Sequence, residues 1–140
     1  EPGPVSVIGK GVIEEVKLGI KLREEPDDFL LRVKKTLLKY FSGERIEFPF
    51  PLLISGTPLE KRVYELVKNI PYGETRTYRE IAEELGNPYL ARFVGNAMKK
   101  NKIPIFIPCH RVVRSDGTPG GFSGGMKWKK YLLSLEGVSA

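Results

Sequence analysis

Residues 57–100 read TPLEKRVYELVKNIPYGETRTYREIAEELGNPYLARFVGNAMKK, and this stretch decides the fold. It contains two capping boxes, one beginning at Thr57 and one at Thr77, and each has a Glu three residues later. Gly86 ends the second helix, and a third helix begins at Asn87 and runs to the end of the stretch. Two short helices joined by a glycine-containing turn predict a helix-turn-helix.

The residues before this stretch predict a smaller unit. Residues 5–22 are rich in Val and Ile and are interrupted by glycines, which is typical of a β-hairpin. A helical stretch opens at Pro26, with Asp27 in its first turn, and Gly43 ends it. Residues 44–56 contain several prolines and read as an extended linker.

The C-terminal residues add a buried segment, a loop and a helix. Residues 103–113, IPIFIPCHRVV, form an apolar run broken by prolines, which predicts an extended segment with a turn near Pro108 rather than a central strand. Residues 115–125 contain five Gly and one Pro and form a loop. The final helix runs from about Met126 to Glu136, where a glycine follows as its cap.

Together these elements predict an α/β (α+β) fold. A small N-terminal domain with a β-hairpin and a helix occupies residues 1–56. A mainly helical C-terminal domain with the helix-turn-helix occupies residues 57–140.

The composition of the 140-residue chain excludes several classes of protein. No apolar stretch approaches the ~20 residues that span a bilayer, and no signal peptide is visible, so we expect no membrane partner. A single Cys excludes an intramolecular disulfide. One Cys and one His also provide too few ligands for the usual structural zinc site, so we expect no metal and no cofactor.

The positive charge is confined to one part of the chain. The net charge is +6, and residues 58–140, with 14 basic and 8 acidic residues, hold the whole excess. A basic domain suits a polyanion such as nucleic acid. A basic surface without a partner is equally compatible with this count.

The only Cys and the only His are neighbours, Cys109 and His110. A thiolate is a strong nucleophile and a nearby base can generate one, so Cys109 is a candidate nucleophile. A lone Cys in an apolar run is also commonly inert, and His110 is also compatible with a satisfied core histidine. Because adjacent residues of an extended chain point to opposite faces, a contact between them needs a turn at Pro108 or a bridging water.

Three other features each have two interpretations. Glu136 lies where the helix dipole disfavours a negative charge; it is either a solvated carboxylate or the group that orients His110, as in a hydrolase triad. Asn101 either caps the preceding helix or braces the loop that carries Cys109. The glycine loop is either a flexible connection or lets backbone N–H groups approach a substrate, although it lacks the ending of a P-loop.

Residues 107–113 resemble the PCHRV active-site motif of the O6-alkylguanine-DNA alkyltransferases, the methylated-DNA–protein-cysteine methyltransferases. The resemblance covers residues 55–137, in order and with the family's spacing: GTPLEKRVYELVKNIPYGETRTYREIA, NPYLARFVGNAM, Asn101, GGFSGG and LLSLEG. It implies a DNA repair protein that moves an alkyl group from guanine O6 to its own cysteine, once per molecule and irreversibly.

The resemblance also implies the catalytic roles. Cys109 is the acceptor, His110 deprotonates it through a water, Glu136 holds the histidine, and Asn101 braces the active-site turn. The substrate contacts that it implies are Tyr78, Met98, Val112, Phe122, Ser123 and Gly124. The resemblance implies that the Tyr78 hydroxyl faces guanine N3 and that the Ser123 backbone N–H faces O6. It also implies that the carbonyls of Val112 and of the acceptor Cys109 accept from the exocyclic amine. Phe122 stands where many relatives have Tyr.

The target carbon is hidden in stacked double-stranded DNA, so the nucleotide must be flipped out. The resemblance implies DNA contacts at Thr77, Ala91, Arg92, Gly95, Lys99 and Ser115. Arg92 fills the vacated space from the second helix of the helix-turn-helix, which enters the minor groove, and Lys99 and Ser115 contact phosphates. Asn96 replaces a usual Gly here.

Two other functions stay open on the sequence alone: a non-catalytic binder of alkylated DNA, and a cysteine hydrolase. We expect a cytoplasmic monomer, nucleoid-associated in a prokaryote, or a nuclear one in a eukaryote.

Overall fold

The computed structural model describes residues 2–19, 27–116, 118, 120 and 125–138. In these ranges, short strands and helices alternate along the chain: β1 (Val5–Gly9), β2 (Ile13–Leu18), α1 (Asp28–Phe41), α2 (Pro58–Lys68), β3 (Arg76–Thr77), α3 (Tyr78–Glu84), α4 (Ala91–Lys100), β4 (Val112–Val113) and α5 (Met126–Leu135). The mixed fold predicted from the sequence is confirmed. Across the described ranges, no helix combines the length and the apolar character that crossing a membrane requires.

The N-terminal hairpin and helix form as predicted, with one difference. β1 and β2 pair antiparallel. Asp27, predicted in the first turn of α1, is instead its N-cap, because its side chain accepts a hydrogen bond from Leu30 N at 2.8 Å. Pro26, predicted to open this helix, and residues 20–22 of the predicted hairpin lie outside the described residues.

Local chemistry fixes the starts of α2 and α3. Both predicted capping boxes are present: Thr57 and Glu60 exchange hydrogen bonds at the start of α2, and Thr77 and Glu80 do so at the start of α3. The third predicted helix begins as a 3-10 turn, Pro88–Leu90, and continues as α4.

Residues from both predicted domains share one hydrophobic core, which includes Val33 of α1 and Leu132 of α5. A backbone hydrogen bond also joins the hairpin to the C-terminal part, since Val16 N donates to Lys102 O at 2.7 Å. The division at residue 56 remains a prediction.

The segment that follows α4 is buried from Ile103 to Val113, as predicted. Its turn is a 3-10 turn at Cys109–Arg111, and β4 follows directly. β4 pairs in parallel with β3, Arg76 opposite Val112 and Thr77 opposite Val113. This pairing holds the start of α3 close to the turn at Cys109–Arg111. The expectation that this segment forms no central strand is confirmed, because β4 is two residues long, follows the prolines and belongs to a two-stranded sheet with β3.

Candidate active site

The 3-10 turn at Cys109–Arg111 buries three consecutive side chains, and Cys109 is fully buried. Asn101 braces this turn: its Nδ2 donates to Ile107 O at 3.0 Å and to Cys109 Sγ at 3.2 Å. Its Oδ1 accepts from Ile103 N at 2.9 Å. Asn101 is also the C-cap residue of α4, so both interpretations of it hold.

His110 and Glu136 form a buried pair, with 2.7 Å between His110 Nε2 and Glu136 Oε2. Burial lowers the pKa of His110 and outweighs the hydrogen bond with Glu136, which acts to raise it. The imidazole is therefore neutral at pH 7. A carboxylate can only accept, so Nε2 carries the proton and Nδ1 carries the lone pair. In the described part of the chain, no protein group donates a hydrogen bond to the buried Nδ1, so its lone pair is available to accept a proton.

Glu136 is the C-cap residue of α5, and the interpretation as a solvated carboxylate is wrong, because its side chain is fully buried. Five hydrogen bonds reach the carboxylate, from His110, twice from Arg111, from Tyr40 and from Gly73 N. Burial acts to raise the pKa of Glu136, but the hydrogen bonds from His110 and Arg111 hold it well below its usual range. The carboxylate is ionised, and its donors offset the unfavourable position at a helix C-terminus.

Sequence reasoning missed Lys129. This side chain of α5 is fully buried, and its Nζ donates to Val112 O at 2.6 Å and to the Tyr78 hydroxyl at 3.4 Å. Burial lowers the pKa of Lys129 to about 8, although the charge of Cys109 opposes that shift. Lys129 is therefore mostly protonated at pH 7. The signal in the sequence was its position, three residues before the core residue Leu132.

Lys129 also changes the expectation for Val112. The resemblance implies that the Val112 carbonyl accepts from the exocyclic amine of guanine. In the structure, this carbonyl already accepts from Lys129 Nζ. A carbonyl oxygen has two lone pairs, so the second remains available to a base.

Tyr78 is the first residue of α3 and is half-buried beside the site. Gly120 packs against it so closely that a Cβ at Gly120 would lie 2.6 Å from the Tyr78 hydroxyl oxygen. Gly120 was not singled out by sequence reasoning, although the glycine loop as a whole was. Met98 is fully buried in α4. The remaining predicted substrate contacts lie outside the described residues: Phe122, Ser123 and Gly124.

Helix α4 has a buried and an outward face. Val94, Ala97 and Met98 pack into the core. Arg92 and Lys99 are exposed, and with the half-buried Gly95 they share one face at helical spacing. Of the other predicted DNA contacts, Ser115 is exposed, and Thr77 and Ala91 are half-buried near the ends of α3 and α4.

The site brings together a nucleophile, an N–H donor, a cation and a neutral base. The Asn101 N–H group and the Lys129 ammonium both interact favourably with a thiolate at Cys109. Such a site can carry out nucleophilic transfer of a group to sulfur. No cluster of three His, Cys, Asp or Glu residues able to hold a metal occurs among the described residues.

Comparison with known proteins gives the family. A family model described as "6-O-methylguanine DNA methyltransferase, DNA binding domain" matches residues 58–138. A methylated-DNA–protein-cysteine methyltransferase of Methanosarcina acetivorans is 44% identical over 113 residues, which cover 81% of this chain and 72% of that protein. The constitutive methylated-DNA–protein-cysteine methyltransferase of Bacillus subtilis is 42% identical over 118 residues, which cover 84% of this chain and 70% of that protein.

A solved structure agrees over nearly the whole chain. The crystal structure of Mycobacterium tuberculosis OGT in complex with DNA has a TM-score of 0.86 and 37% sequence identity, and the match covers 96% of this chain and 87% of that chain. Given the family match, the two relatives and this shared fold, the chain belongs to the 6-O-methylguanine DNA methyltransferase family, the methylated-DNA–protein-cysteine methyltransferases.

Proposed function

We propose that this protein repairs DNA by moving an alkyl group from guanine O6 to the Sγ atom of Cys109. One observation carries the proposal. Cys109 Sγ, held by Asn101 at 3.2 Å, lies in the same 3-10 turn as His110, a neutral base whose buried Nδ1 is unpaired within the described ranges. A thiol with a general base beside it can form the thiolate that accepts the alkyl group.

The transfer is a displacement at an sp³ carbon. His110 Nδ1 takes the proton of the Cys109 thiol through a water molecule. The new S–C bond forms as the C–O6 bond breaks, and the bonding electron pair stays on the guanine. The Tyr78 hydroxyl donates to guanine N3 and so stabilises the charge of the leaving base. The thioether has no route back, so each molecule acts once.

Lys129 assists at both ends of this reaction. Its Nζ atom donates to the Tyr78 hydroxyl oxygen at 3.4 Å. A hydroxyl that accepts a hydrogen bond from a cation is itself a stronger donor, so the Tyr78 hydroxyl donates a stronger hydrogen bond to guanine N3. The ammonium also favours the thiolate electrostatically, because the interaction with Cys109 raises the pKa of Lys129.

The DNA lies against α4 and the start of α3. A target carbon inside stacked bases is reached only when the nucleotide is flipped out. Arg92, exposed near the start of α4, fills the vacated space from the minor groove, and Gly95 permits close approach. Lys99 and Ser115 contact phosphates, which position the protein without reading sequence. Met98 contacts the flipped base, and the family resemblance implies further contacts with the base from Phe122, Ser123 and Gly124.

The test of this function is the mass of the intact protein after incubation with duplex DNA that contains O6-methylguanine. One methyl group should be added in exchange for one proton, and it should lie on the peptide that contains Cys109. Cys109→Ala should remain unmodified. An unchanged mass with tight binding to the lesion would instead support the non-catalytic binder, and turnover of an ester substrate would support the cysteine hydrolase.

Replacing the buried Lys129 by Met should slow alkyl transfer by on the order of 100-fold, the scale of one lost donor to a developing charge. The transfer rate should fall by a similar factor for duplex DNA and for the free-base analogue O6-benzylguanine, because Lys129 acts on the reaction of the alkylated guanine and not on the binding of the DNA backbone. Single-turnover rates measure it. Lys130→Met is the matched control, since Lys130 is the exposed neighbour on the same helix. Equal rates for the Lys129→Met and wild-type proteins would contradict the role of Lys129.

The two parts of the chain have different tasks in this reaction. Residues 57–140 carry the cysteine that accepts the alkyl group and the DNA contacts, and residues 1–56 form a small N-terminal domain that shares the hydrophobic core with them. A protein that acts on genomic DNA works in the cytoplasm at the nucleoid of a prokaryote, or in the nucleus of a eukaryote.

A further inference from the structure

A residue of the N-terminal part reaches the reaction site. Tyr40 of α1 is fully buried, and its hydroxyl donates to Glu136 Oε2 at 2.5 Å, across 96 positions of sequence. Short O–H···O⁻ distances of this kind mark a charge-assisted hydrogen bond. This contact takes no direct part in the transfer of the alkyl group.

The hydroxyl shares its acceptor with the catalytic base. Glu136 Oε2 also accepts from His110 Nε2 at 2.7 Å and from Arg111 Nη2 at 2.9 Å. A carboxylate offers about four lone-pair sites, and five hydrogen bonds reach this one. Each donor withdraws negative charge that would otherwise act on the imidazole.

Several other charged or titratable side chains surround His110 and Glu136. Arg111 forms a bidentate ion pair with Glu136 from the 3-10 turn, and the charge of Lys129 on α5 acts to lower the pKa of His110. Tyr72 lies on the remaining side, with its ring 6.0 Å from that of Tyr40 and with Arg45 stacked 5.7 Å over it. The Tyr72 hydroxyl donates to Leu135 O, not to the carboxylate. Cys109 precedes His110 in the turn.

We propose that Tyr40 is a positioning residue of the alkyl-transfer site, whose hydroxyl holds the Glu136 carboxylate so that His110 keeps its proton on Nε2 and presents Nδ1 to Cys109. The proposal rests on the proposed function. It gives the N-terminal part a direct task in the reaction. With one donor fewer, Glu136 would attract the imidazole proton more strongly and would favour the imidazolium, in which Nδ1 is no longer an acceptor.

The single histidine of the chain makes the test specific, because all imidazole ¹⁵N signals belong to His110. In the wild-type protein, these signals should report the neutral tautomer with the proton on Nε2 at pH 7. In Tyr40→Phe, the His110 titration midpoint should rise by about 0.5–1 pH unit. The acidic limb of the rate of reaction with O6-benzylguanine should move in the same direction, with up to about tenfold less neutral base below the midpoint.

Two further variants separate positioning from packing. Tyr72→Phe removes a neighbouring hydroxyl that does not touch the carboxylate, and it should leave the His110 midpoint in place. Phe48→Leu disturbs the ring that packs 5.3 Å from Tyr40 but keeps the hydroxyl, so it should reduce stability without moving the midpoint.

Three results would overturn the role of Tyr40. One is a Tyr40→Phe protein that reacts slowly at every pH with an unmoved midpoint. Another is an equal shift of the midpoint in Tyr72→Phe. The third is a Tyr40→Phe protein that does not fold although Phe48→Leu does, since the hydroxyl would then serve stability alone. Failure of the wild-type protein to accept an alkyl group would refute the proposed function, and the His110 titration would still decide the contact of Tyr40.

Discussion

Replacing Glu136 by Gln should lower the free energy of unfolding by about 3–5 kcal/mol and slow alkyl transfer by at least about 100-fold. The loss of stability arises because the guanidinium of Arg111, itself buried, would lose its counter-charge. The loss of rate arises because an amide no longer fixes the tautomer of His110. Urea unfolding followed by the fluorescence of Trp128, the only Trp and a buried one, measures the first effect.

The pH dependence of this difference gives a second check. The pKa of Glu136 in the folded protein lies below its ordinary value of 4.5. Its contribution to stability is therefore complete above pH 4.5 and is lost as the pH falls through the folded pKa. The wild-type and Glu136→Gln proteins should approach each other in stability below pH 4.5. A difference that stays constant down to the lowest pH would contradict the ionised carboxylate. Glu60→Gln, which alters a carboxylate paired with the exposed Lys100, should change stability by less than about 1 kcal/mol.

Replacing Arg92 by Ala should slow the repair of duplex DNA by on the order of 100-fold and leave the reaction with O6-benzylguanine unchanged. The reason is that holding a nucleotide out of the stack requires a few kcal/mol, and every 1.4 kcal/mol corresponds to a factor of ten. Single-turnover rates on the two substrates measure the effect as a ratio.

Arg79→Ala provides the matched control, because Arg79 is an exposed arginine of α3 that pairs with Glu83. It should leave the ratio of the two rates near that of the wild-type protein. Equal slowing of both substrates by Arg92→Ala would refute the flipping role, because a free base has no stack to leave.

Local chemistry made much of the fold predictable. The capping boxes at Thr57 and Thr77 act between residues three apart, so the sequence shows them directly, and both form. The family resemblance over residues 55–137 also implied two contacts that the structure contains, that of Asn101 with Cys109 Sγ and that of Glu136 with His110. The charge of Glu136 at a helix end was the signal that something had to compensate it.

The unpredicted parts of the site depend on contacts between distant residues. Tyr40 reads as one more apolar position of α1, and nothing near it in sequence shows that its hydroxyl meets Glu136. Lys129 reads as a solvated helix residue, because its partners Val112 and Tyr78 lie 17 and 51 positions away. Arg111 belongs to the motif, but the motif does not show that the Arg111 guanidinium pairs with the distant carboxylate of Glu136.

The short parallel pairing of β3 with β4 has a consequence for the rate of reaction. It joins Thr77, the residue before Tyr78, to Val113, four residues after Cys109. In the proposed reaction, Cys109 attacks and Tyr78 stabilises the leaving base. These two residues are thereby held on two backbone segments joined by strand pairing, and the separation of the segments is set when the chain folds. These two protein groups then need little further ordering when a base enters, which favours a high effective molarity once the base is bound. Because such a protein reacts only once, the two residues must be in position before the base arrives. The pairing of β3 with β4 places them there when the chain folds.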